Sequence, residues 1–393
     1  MNAEPRIKPP AAPDWRGKTI LLVLRTLDLG GTERQVGYLA PWLRRETGAH
    51  TVVWALERGG PLAARLEGQG VEWELRRGIL EHRGAAKLAG LFDLLRRLRR
   101  LGPDAILSFN DFPNKVCGAL WPWSKAAVCV WNQRDEGREV TGRFLERRAL
   151  SQVRVFTANS VQGVEFLTGR FGVAGERVAL IPNGVRLDPP GRTRGEWRAA
   201  MGIGPRAVLV TMIANLHHFK DHETLLRAWA RIVAENGGDG PRLVLAGRPG
   251  DTFAPLQDLR RSLGLEKSIH VIGPTDDISG LLAASDIGVF SSRLEGMPNG
   301  VLECMAAGLP VVATRIAGIA AALGEDYPLL VPPADERLLA DGLRTLIGDE
   351  GLRRRLGEGN QKRAREEFSP SAMGMRFVSV LEPFLSRPLG KSN

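Results

Sequence analysis

The sequence is poor in cysteine and contains no long apolar run. Its three cysteines, Cys117, Cys129 and Cys304, are far apart and odd in number. This pattern argues against a disulfide framework and for a reducing compartment. Because no run reaches about 18 apolar residues, a membrane-spanning helix is not expected. Residues 1–17 carry four prolines and no apolar core, which predicts a loose tail rather than a signal peptide.

Negative charge is scarce in the first half of the chain. Residues 1–185 contain 28 Lys and Arg against 19 Asp and Glu, a net charge of +9, whereas residues 186–393 contain 26 against 25. The positive net charge of the first half therefore predicts an anionic partner. A lipid surface, a pyrophosphate-linked lipid and nucleic acid are the alternatives.

Short apolar runs alternate with helix-length amphipathic segments. Such alternation predicts an α/β fold with parallel sheets, and uninterrupted apolar runs are typical of strands buried on both faces. The pattern occurs twice, on either side of a segment rich in Gly, Pro and Arg over residues 182–205, which predicts two doubly wound domains. The runs are Thr19–Arg25, Thr51–Leu56, Val71–Leu75, Ala105–Phe109, Ala127–Trp131 and Val155–Ala158, then Ala207–Ala214, Arg242–Ala246, Ile269–Ile272, Ile287–Phe290, Pro310–Ala313 and Leu329–Val331.

The strongest local signal lies just after the run Ile287–Phe290. Glu295 and Glu303 stand eight positions apart, with Gly296 and Gly300 between them near a helix start. Free backbone N–H groups at such a position bind anions, and a carboxylate can accept two hydrogen bonds from a vicinal diol. The alternative is that Glu295 caps the helix and Glu303 is a solvated helix residue.

The segment Glu295–Glu303, followed by Cys304–Thr314, resembles the donor-site motif of the retaining glycosyltransferases of family 4, also called glycosyl transferases group 1. The resemblance extends over roughly residues 18–385. It implies that Glu295 contacts the donor sugar and Glu303 the nucleotide ribose. The turn between them would contact the sugar or phosphates through its free backbone N–H groups; it consists of Gly296, Met297, Pro298, Asn299 and Gly300.

The resemblance also implies the GT-B fold, in which two Rossmann-like domains face each other across a cleft. We expect an acceptor-side domain over residues 18–184 and a nucleotide-sugar donor domain over residues 185–369. The last helix, within residues 370–393, is expected to return to the first domain.

A second signal follows the run Ala207–Ala214. Lys220 lies in the predicted turn before a helix over His222–Glu235, with Asp221 as its N-cap. In the family an Arg and a Lys five residues apart neutralise the departing diphosphate; Lys220 matches the Lys, but Asn215 stands where the Arg is expected. Arg248, after the next run, could supply the missing charge, and the alternative is a solvent-facing arginine.

A third signal is the pair Gly30–Gly31, between the first run and a helix beginning near Glu33. Two glycines allow backbone amides to approach a phosphate, and the resemblance places this turn against the donor phosphates. The alternative is an ordinary tight turn. A third glycine, which a dinucleotide-binding fingerprint requires, is absent.

Polar residues after two further runs are weaker candidates for acceptor binding. They are Asn110 and Asp111, then Asn132, Gln133, Arg134 and Asp135. Many such loop residues only form turns. Asn183–Gly184, after Val178–Ile181, is interpreted as a structural turn.

These signals together predict a metal-independent hexosyltransferase that moves a sugar from a nucleotide sugar to a sugar or lipid-linked acceptor, with retention implied by the resemblance. No cofactor is expected. The chain lacks an Asp-x-Asp motif, and His217, His218 and His222 have no second cluster of metal ligands. A nucleotide-sugar epimerase and a nucleic-acid-binding protein remain alternatives, although no nucleic-acid-binding module is recognisable.

The segment Ala85–Leu101 predicts an amphipathic helix with Leu88, Leu91, Phe92, Leu95 and Leu98 on one face. Arginines cluster at its end and on a second predicted helix of the same domain. One interpretation is a cytoplasmic protein that docks on an anionic membrane surface through this domain. The other is a core-facing helix with solvated arginines suited to the helix dipole. The arginines are Arg96, Arg97, Arg99 and Arg100, then Arg143, Arg147 and Arg148.

Overall fold

The computed structural model describes residues 11–77, 85–134, 142, 144–236 and 240–386. The chain divides into two compact units. The first contains residues 1–184 and 370–393, and the second contains residues 185–369. The chain first passes from one unit to the other after Gly184, within the Gly- and Pro-rich segment over residues 182–205 that was predicted to be the linker. Residues 387–393, at the end of the predicted last helix, lie outside the described residues.

The first unit is built on a seven-stranded parallel sheet with the order β3-β2-β1-β4-β5-β6-β7. Its strands coincide closely with the predicted apolar runs, and β7 adds an edge strand. The reversal of order between β1 and β4 is the arrangement of a doubly wound sheet. The strands are β1 Thr19–Thr26, β2 His50–Arg58, β3 Glu72–Leu75, β4 Ala105–Phe109, β5 Val128–Gln133, β6 Val155–Ala158 and β7 Val178–Leu180.

Helices cover both faces of this sheet, so the central strands bury apolar side chains on both sides and need no polar alternation. Short 3-10 turns at Trp121–Trp123 and Gly175–Arg177 and a π-helical turn at Phe166–Arg170 connect the elements. The helices are α1 Gly31–Thr47, α2 Leu62–Glu67, α3 Ala85–Leu101, α4 Asp111–Leu120, α5 Phe144–Gln152 and α6 Val161–Glu165.

The second unit has a six-stranded parallel sheet with the order β10-β9-β8-β11-β12-β13, which reverses between β8 and β11. Its strands are β8 Leu209–Ile213, β9 Arg242–Ala246, β10 Ile269–Gly273, β11 Ile287–Phe290, β12 Val311–Thr314 and β13 Leu330–Val331. Its helices are α7 Arg194–Ala200, α8 His222–Asn236, α9 Phe253–Ser262, α10 Ile278–Ala284, α11 Asn299–Ala306, α12 Ala317–Leu323, α13 Glu336–Gly348 and α14 Glu350–Glu367, with a 3-10 turn at His218–Lys220.

The last helix, α15 (Pro370–Leu385), belongs to the first unit. Its buried residues Phe377 and Leu381 join the same core as α1 and β1. Contact with α1 is tight, because a Cβ added at Gly374 would lie 2.2 Å from a ring carbon of Trp42. A glycine is therefore needed where the two helices meet.

Two sequence predictions need correction. The predicted loose tail over residues 1–17 is wrong for its last residues, since Trp15 is 2% exposed and its backbone N–H donates to the Thr47 carbonyl at 2.7 Å. The predicted apolar face of α3 is wrong in part. Leu98 is buried and Leu91 and Leu95 pack against the same core, as predicted, but Leu88 and Phe92 are 68% and 70% exposed and Leu94 is buried instead. In the described part of the chain, no helix is both long enough and apolar enough to cross a membrane.

Candidate functional site

The second sheet brings Lys220 and Glu295 together at its switch point. Lys220 follows β8 and Glu295 follows β11, and these strands are neighbours where the strand order reverses. The Lys220 ammonium forms an ion pair with Oε1 of Glu295, and the two side chains are 16% and 10% exposed. The Ser292 hydroxyl donates to the same carboxylate oxygen at 2.9 Å. Ligands bind to doubly wound sheets at such a crevice outside the carboxyl ends of the strands.

Further hydrogen bonds connect the loop after β8, which carries Lys220, to the loop after β11, which carries Glu295. The Ser291 hydroxyl donates to the Lys220 carbonyl at 3.0 Å, and the Arg293 amide donates to the Phe219 carbonyl at 2.8 Å. Arg293 Nε also donates to the buried Asp221 carboxylate at 2.7 Å. Asp221 has a left-handed backbone with φ of 50° and accepts hydrogen bonds from Thr224 in the first turn of α8. It therefore caps α8, as predicted, and also connects the two loops.

Helix α11 carries the second glutamate. Glu303 is 6% exposed within this helix, which does not fit the alternative of a solvated residue. The start of α11 approaches β8 closely, because a Cβ at Gly300 would lie 2.4 Å from the Ile213 carbonyl oxygen. Gly318 at the start of α12 approaches the Gly296 carbonyl in the same way, at 2.0 Å. These contacts fix the turn through Met297, Pro298 and Asn299 at the carboxyl end of β11.

Asn215 has a positional role in the structure. Its side-chain oxygen accepts a hydrogen bond from the Arg248 backbone N–H at 3.0 Å, and the Leu216 N–H donates to the Arg248 carbonyl at 3.0 Å. Asn215 thus holds the loop after β9 against the loop after β8. The Arg248 side chain itself is exposed.

Sequence reasoning missed how the histidines beside Lys220 are used. His217 and His218 both contact the Asp251 carboxylate, at 3.1 and 2.7 Å, and the hydrogen bond from His218 is the main cause that lowers the Asp251 pKa to about 2. His222 is 3% exposed, and neither of its ring nitrogens has a partner among the described residues. Burial lowers its pKa to about 4. The described residues contain no cluster of three metal-ligating side chains.

The first sheet places the Gly30–Gly31 turn at its own switch point. This turn follows β1 and opens α1, and the Thr32 hydroxyl reaches Asn110, after β4, at 3.2 Å. A Cβ at Gly30 would lie 2.3 Å from Oε2 of Glu33, so the glycine lets this carboxylate fold back under the turn. Burial raises the pKa of Glu33. Asn110 has φ of 68°, an uncommon conformation for a residue with a side chain.

Two polar clusters involve acceptor-binding candidates that lie after β4 and within β5. Asp111 pairs with the buried Lys115 at 2.5 Å, and Lys115 also contacts Glu146 at 2.7 Å. Asn132 is fully buried, accepts from the Thr157 hydroxyl at 2.5 Å and donates to the Ser108 carbonyl at 2.8 Å. Its role is therefore to join strands, and it is not available to an acceptor.

Arg134, directly after β5, donates to Oδ1 of Asn183, and Asn159 Nδ2 donates to the same atom at 3.3 Å. Asn183 is thus more than the turn residue that the sequence predicted, because it orients Arg134. Two candidates from the sequence, Asp135 and Arg143, lie outside the described residues.

Two family models match this chain. The model described as glycosyl transferases group 1 matches residues 207–349, and the model described as glycosyltransferase family 4 matches residues 29–189. The chain belongs to this family of glycosyltransferases, and its two Rossmann-like units place it in the GT-B fold class.

Among curated relatives, the D-inositol 3-phosphate glycosyltransferase of Corynebacterium efficiens is 27% identical over 61% of this chain and 58% of its own length. The N-acetyl-alpha-D-glucosaminyl L-malate synthase of Bacillus anthracis is 30% identical over 49% of this chain and 48% of its own length. The alignments with the first three relatives span only 53–59% of their lengths.

Among solved structures, Anabaena HepE in complex with UDP and glucose is similar, with a TM-score of 0.78 and 19% identity. The match covers 92% of this chain and 99% of HepE. At this identity the likeness supports the fold.

Proposed function

We propose that the protein transfers a hexose from a nucleoside diphosphate sugar to an acceptor hydroxyl, with retention of the anomeric configuration and without a metal ion. The observation that carries this proposal is the Lys220–Glu295 pair at the switch point of the second sheet. The second unit would bind the donor, and the first unit would bind the acceptor. Family membership and the nucleotide named with HepE support the assignment.

The charge of the leaving diphosphate would be neutralised by Lys220, which is a compact cation held in place before the donor arrives. Because Lys220 is paired with Glu295, the diphosphate would replace the carboxylate as its partner. Glu295 would then be released toward the hydroxyls of the donor sugar. Backbone amides of the turn Gly296–Gly300 would complete the site, while Glu303 would accept hydrogen bonds from the ribose.

In the reaction, the bond between the anomeric carbon and the phosphate oxygen breaks, and a bond from the acceptor oxygen to the same carbon forms. The acceptor proton passes to the leaving phosphate. The residues named above provide orientation and electrostatic stabilisation, which can supply a large part of the rate enhancement without a protein nucleophile.

A nucleotide panel and two glutamate variants test the proposal. The preferred nucleoside diphosphate, at 100 times its Kd, should stabilise the protein by about 2.7 kcal/mol. Glu303→Ala should weaken its binding by about 1.5–3 kcal/mol, whereas Glu295→Ala should retain binding and lose turnover. Glu358→Ala, an exposed glutamate of the same unit, is the control. Parental binding and turnover in both variants would refute the site, and NMR of the product anomer tests retention.

Arg248 would supply the second positive charge in place of the family's arginine, with Asn215 positioning its backbone. Arg248→Ala should then reduce turnover far more than Arg242→Ala, whose guanidinium binds the Gly240 carbonyl at 2.6 Å. Equal and small effects would eliminate Arg248. A chelator should leave activity unchanged, because Lys220 and backbone amides would hold the phosphate charge.

We also propose that the first unit docks on an anionic membrane surface at the cytoplasmic face. The exposed side of α3 carries Leu88 and Phe92, then Arg96, Arg99 and Arg100. Nearby, the Arg99 Nε donates to the Trp123 carbonyl at 2.8 Å. Exposed apolar groups beside arginines suit the boundary between headgroups and acyl chains.

Flotation with anionic liposomes tests this docking. Binding should be lost at high salt and in two variants, Leu88→Ser with Phe92→Ser and the combined change of Arg96, Arg99 and Arg100 to Gln. Absence of binding at low salt would favour a soluble acceptor.

A further inference from the structure

The first unit contains a largely buried guanidinium that forms no ion pair with the described residues. Arg134 retains partial exposure, but its Nε is buried and has no hydrogen-bond acceptor among the described residues. Its one hydrogen bond in that part of the chain goes to the neutral side chain of Asn183. Burial lowers the Arg134 pKa to about 10, so the group remains protonated at neutral pH.

Glu33 is the one described carboxylate whose charge favours protonated Arg134. It does not hydrogen-bond to the guanidinium in the described part of the chain. Instead, its carboxylate is hydrogen-bonded by its own backbone and by Thr26, under the Gly30 turn. Two buried asparagines fix the other side, since Asn183 and Asn159 are 3% and 4% exposed and bonded to each other at 3.3 Å. Arg134 is therefore held by hydrogen bonding at the carboxyl edge of the sheet, and no carboxylate of the described residues forms an ion pair with it.

A desolvated cation without a counter-ion is costly, and such groups in proteins are normally paired. The planar fork of a guanidinium matches a phosphate or carboxylate through two parallel hydrogen bonds. We propose that Arg134 is the centre of an oxyanion-binding site, which takes a phosphate or carboxylate group of the acceptor. Asn183, which accepts its hydrogen bond, and Asn159, which donates to Asn183, are its positioning residues.

This inference rests on the proposed glycosyl transfer, because only that reaction requires an acceptor in the first unit. The names of two relatives mention substrates of this kind, inositol 3-phosphate and malate. The diphosphate of the donor is the other possible source of the same chemistry, so the experiment must separate the two.

Calorimetric titration of the full chain with inorganic phosphate, L-malate, neutral myo-inositol and UDP makes this separation. The variants are Arg134→Gln and Arg134→Lys, with the exposed Arg154→Gln as the matched control in the same unit. Lys220→Ala measures the part of phosphate binding that belongs to the second unit. We expect phosphate or malate, but not myo-inositol, to bind the parent, with affinity reduced at least about tenfold in Arg134→Gln. Arg134→Lys should bind in between, and UDP affinity should not change.

Parental anion binding in Arg134→Gln, or no binding of either anion to the parent, would overturn the site. A parallel loss of UDP affinity in Arg134→Gln would assign the anion to the donor and overturn the acceptor claim. Failure of the parent to bind any nucleotide would instead refute the proposed function. Should Arg134→Gln fail to fold, Arg134→Lys decides between these outcomes, because it keeps the charge and loses the fork.

Discussion

In the second unit, the cations Lys220 and Arg293 at the switch point are each paired with a carboxylate, whereas Arg134, directly after β5 of the first unit, has no ion-pair partner among the described residues. Lys220 meets Glu295, and Arg293 meets Asp221. Among the described residues, Arg134 hydrogen-bonds to the neutral side chain of Asn183. The two sheets share the same reversal of strand order, so this difference comes from side chains and not from topology.

The comparison suggests two ways to prepare a site for an anion. A paired lysine is held in place at low desolvation cost, and a ligand must compete with the carboxylate. An unpaired guanidinium is costlier to fold around, but it has no partner that the ligand must displace. The first arrangement suits a ligand that brings its own strong charge, such as a diphosphate.

The largest effect is expected from Lys220→Ala. Loss of the cation that stabilises the leaving diphosphate should lower kcat by about 10²–10³-fold. Lys267→Ala, an exposed lysine of the same unit, should have no effect on steady-state rates. A kcat within a factor of three of the parent would show that the pair at this switch point is structural only.

One buried group in each unit, His222 in the second and Glu33 in the first, should contribute to the pH dependence of stability with opposite signs. Since burial lowers the His222 pKa to about 4 from an ordinary 6.5, the unfolded state binds more protons between these values. The contribution of His222 is complete above pH 6.5 and should fall by about 3 kcal/mol as the pH drops to 4. Glu33, whose pKa burial raises, contributes with the opposite sign, and its contribution is lost as the pH rises.

Urea unfolding of the parent and His222→Asn between pH 4.5 and 7.5 measures this term as the difference between the two curves. The half-exposed His50, in the first unit, provides the control variant His50→Asn. The assignment to His222 fails if its variant keeps the parental slope.

A smaller effect is expected at the bond between the two loops. Arg293→Gln removes the ion pair with Asp221, but the Arg293 side chain is 57% exposed and its backbone bond to Phe219 remains. Turnover should fall about tenfold, or 1.4 kcal/mol, with unchanged nucleotide affinity. Arg293→Lys should recover part of kcat, whereas the exposed Arg261→Gln should match the parent. A change in KM alone would mean that Arg293 contacts the donor directly.

The smallest effect is expected at Gly30. In Gly30→Ala the new Cβ would displace the end of the Glu33 side chain, which is flexible, so the cost should be about 1 kcal/mol. The Tm should therefore fall by about 2–4 °C. Gly195→Ala, where a Cβ meets open space, should leave Tm unchanged or raise it. An unchanged Tm in Gly30→Ala would show that Glu33 is not confined by the turn.

The fold class could be predicted from the sequence because strands buried on both faces are uninterrupted apolar runs, and these runs appear twice. The places of Lys220 and Glu295 followed from the same pattern, since each comes directly after such a run. The face of α3 could not be predicted in this way. Its leucines occupy more than one side, and only packing against the sheet selects Leu94 and Leu98 over Leu88.

The hydrogen-bond and ion-pair partners of the polar residues also could not be predicted from the sequence. Arg134 and Asn183 are 49 positions apart, and Arg293 and Asp221 are 72 apart. Arg293 and Asp221 meet because the ends of β11 and β8 are neighbours, and Arg134 and Asn183 meet across the end of β6, which lies between β5 and β7. Local sequence patterns do not encode either arrangement. The isolation of His222 is likewise a product of packing, because the residues before and after it are charged.

The return of α15 to the first unit has a consequence for the order in which the protein matures on the ribosome. Domains generally fold as units during synthesis, the N-terminal one first. Here the second unit is continuous and complete at residue 369, while the core of the first unit still lacks Phe377 and Leu381. The later-made domain can therefore finish folding first, and the earlier-made one must wait, with part of its apolar surface uncovered, until α15 has been synthesised.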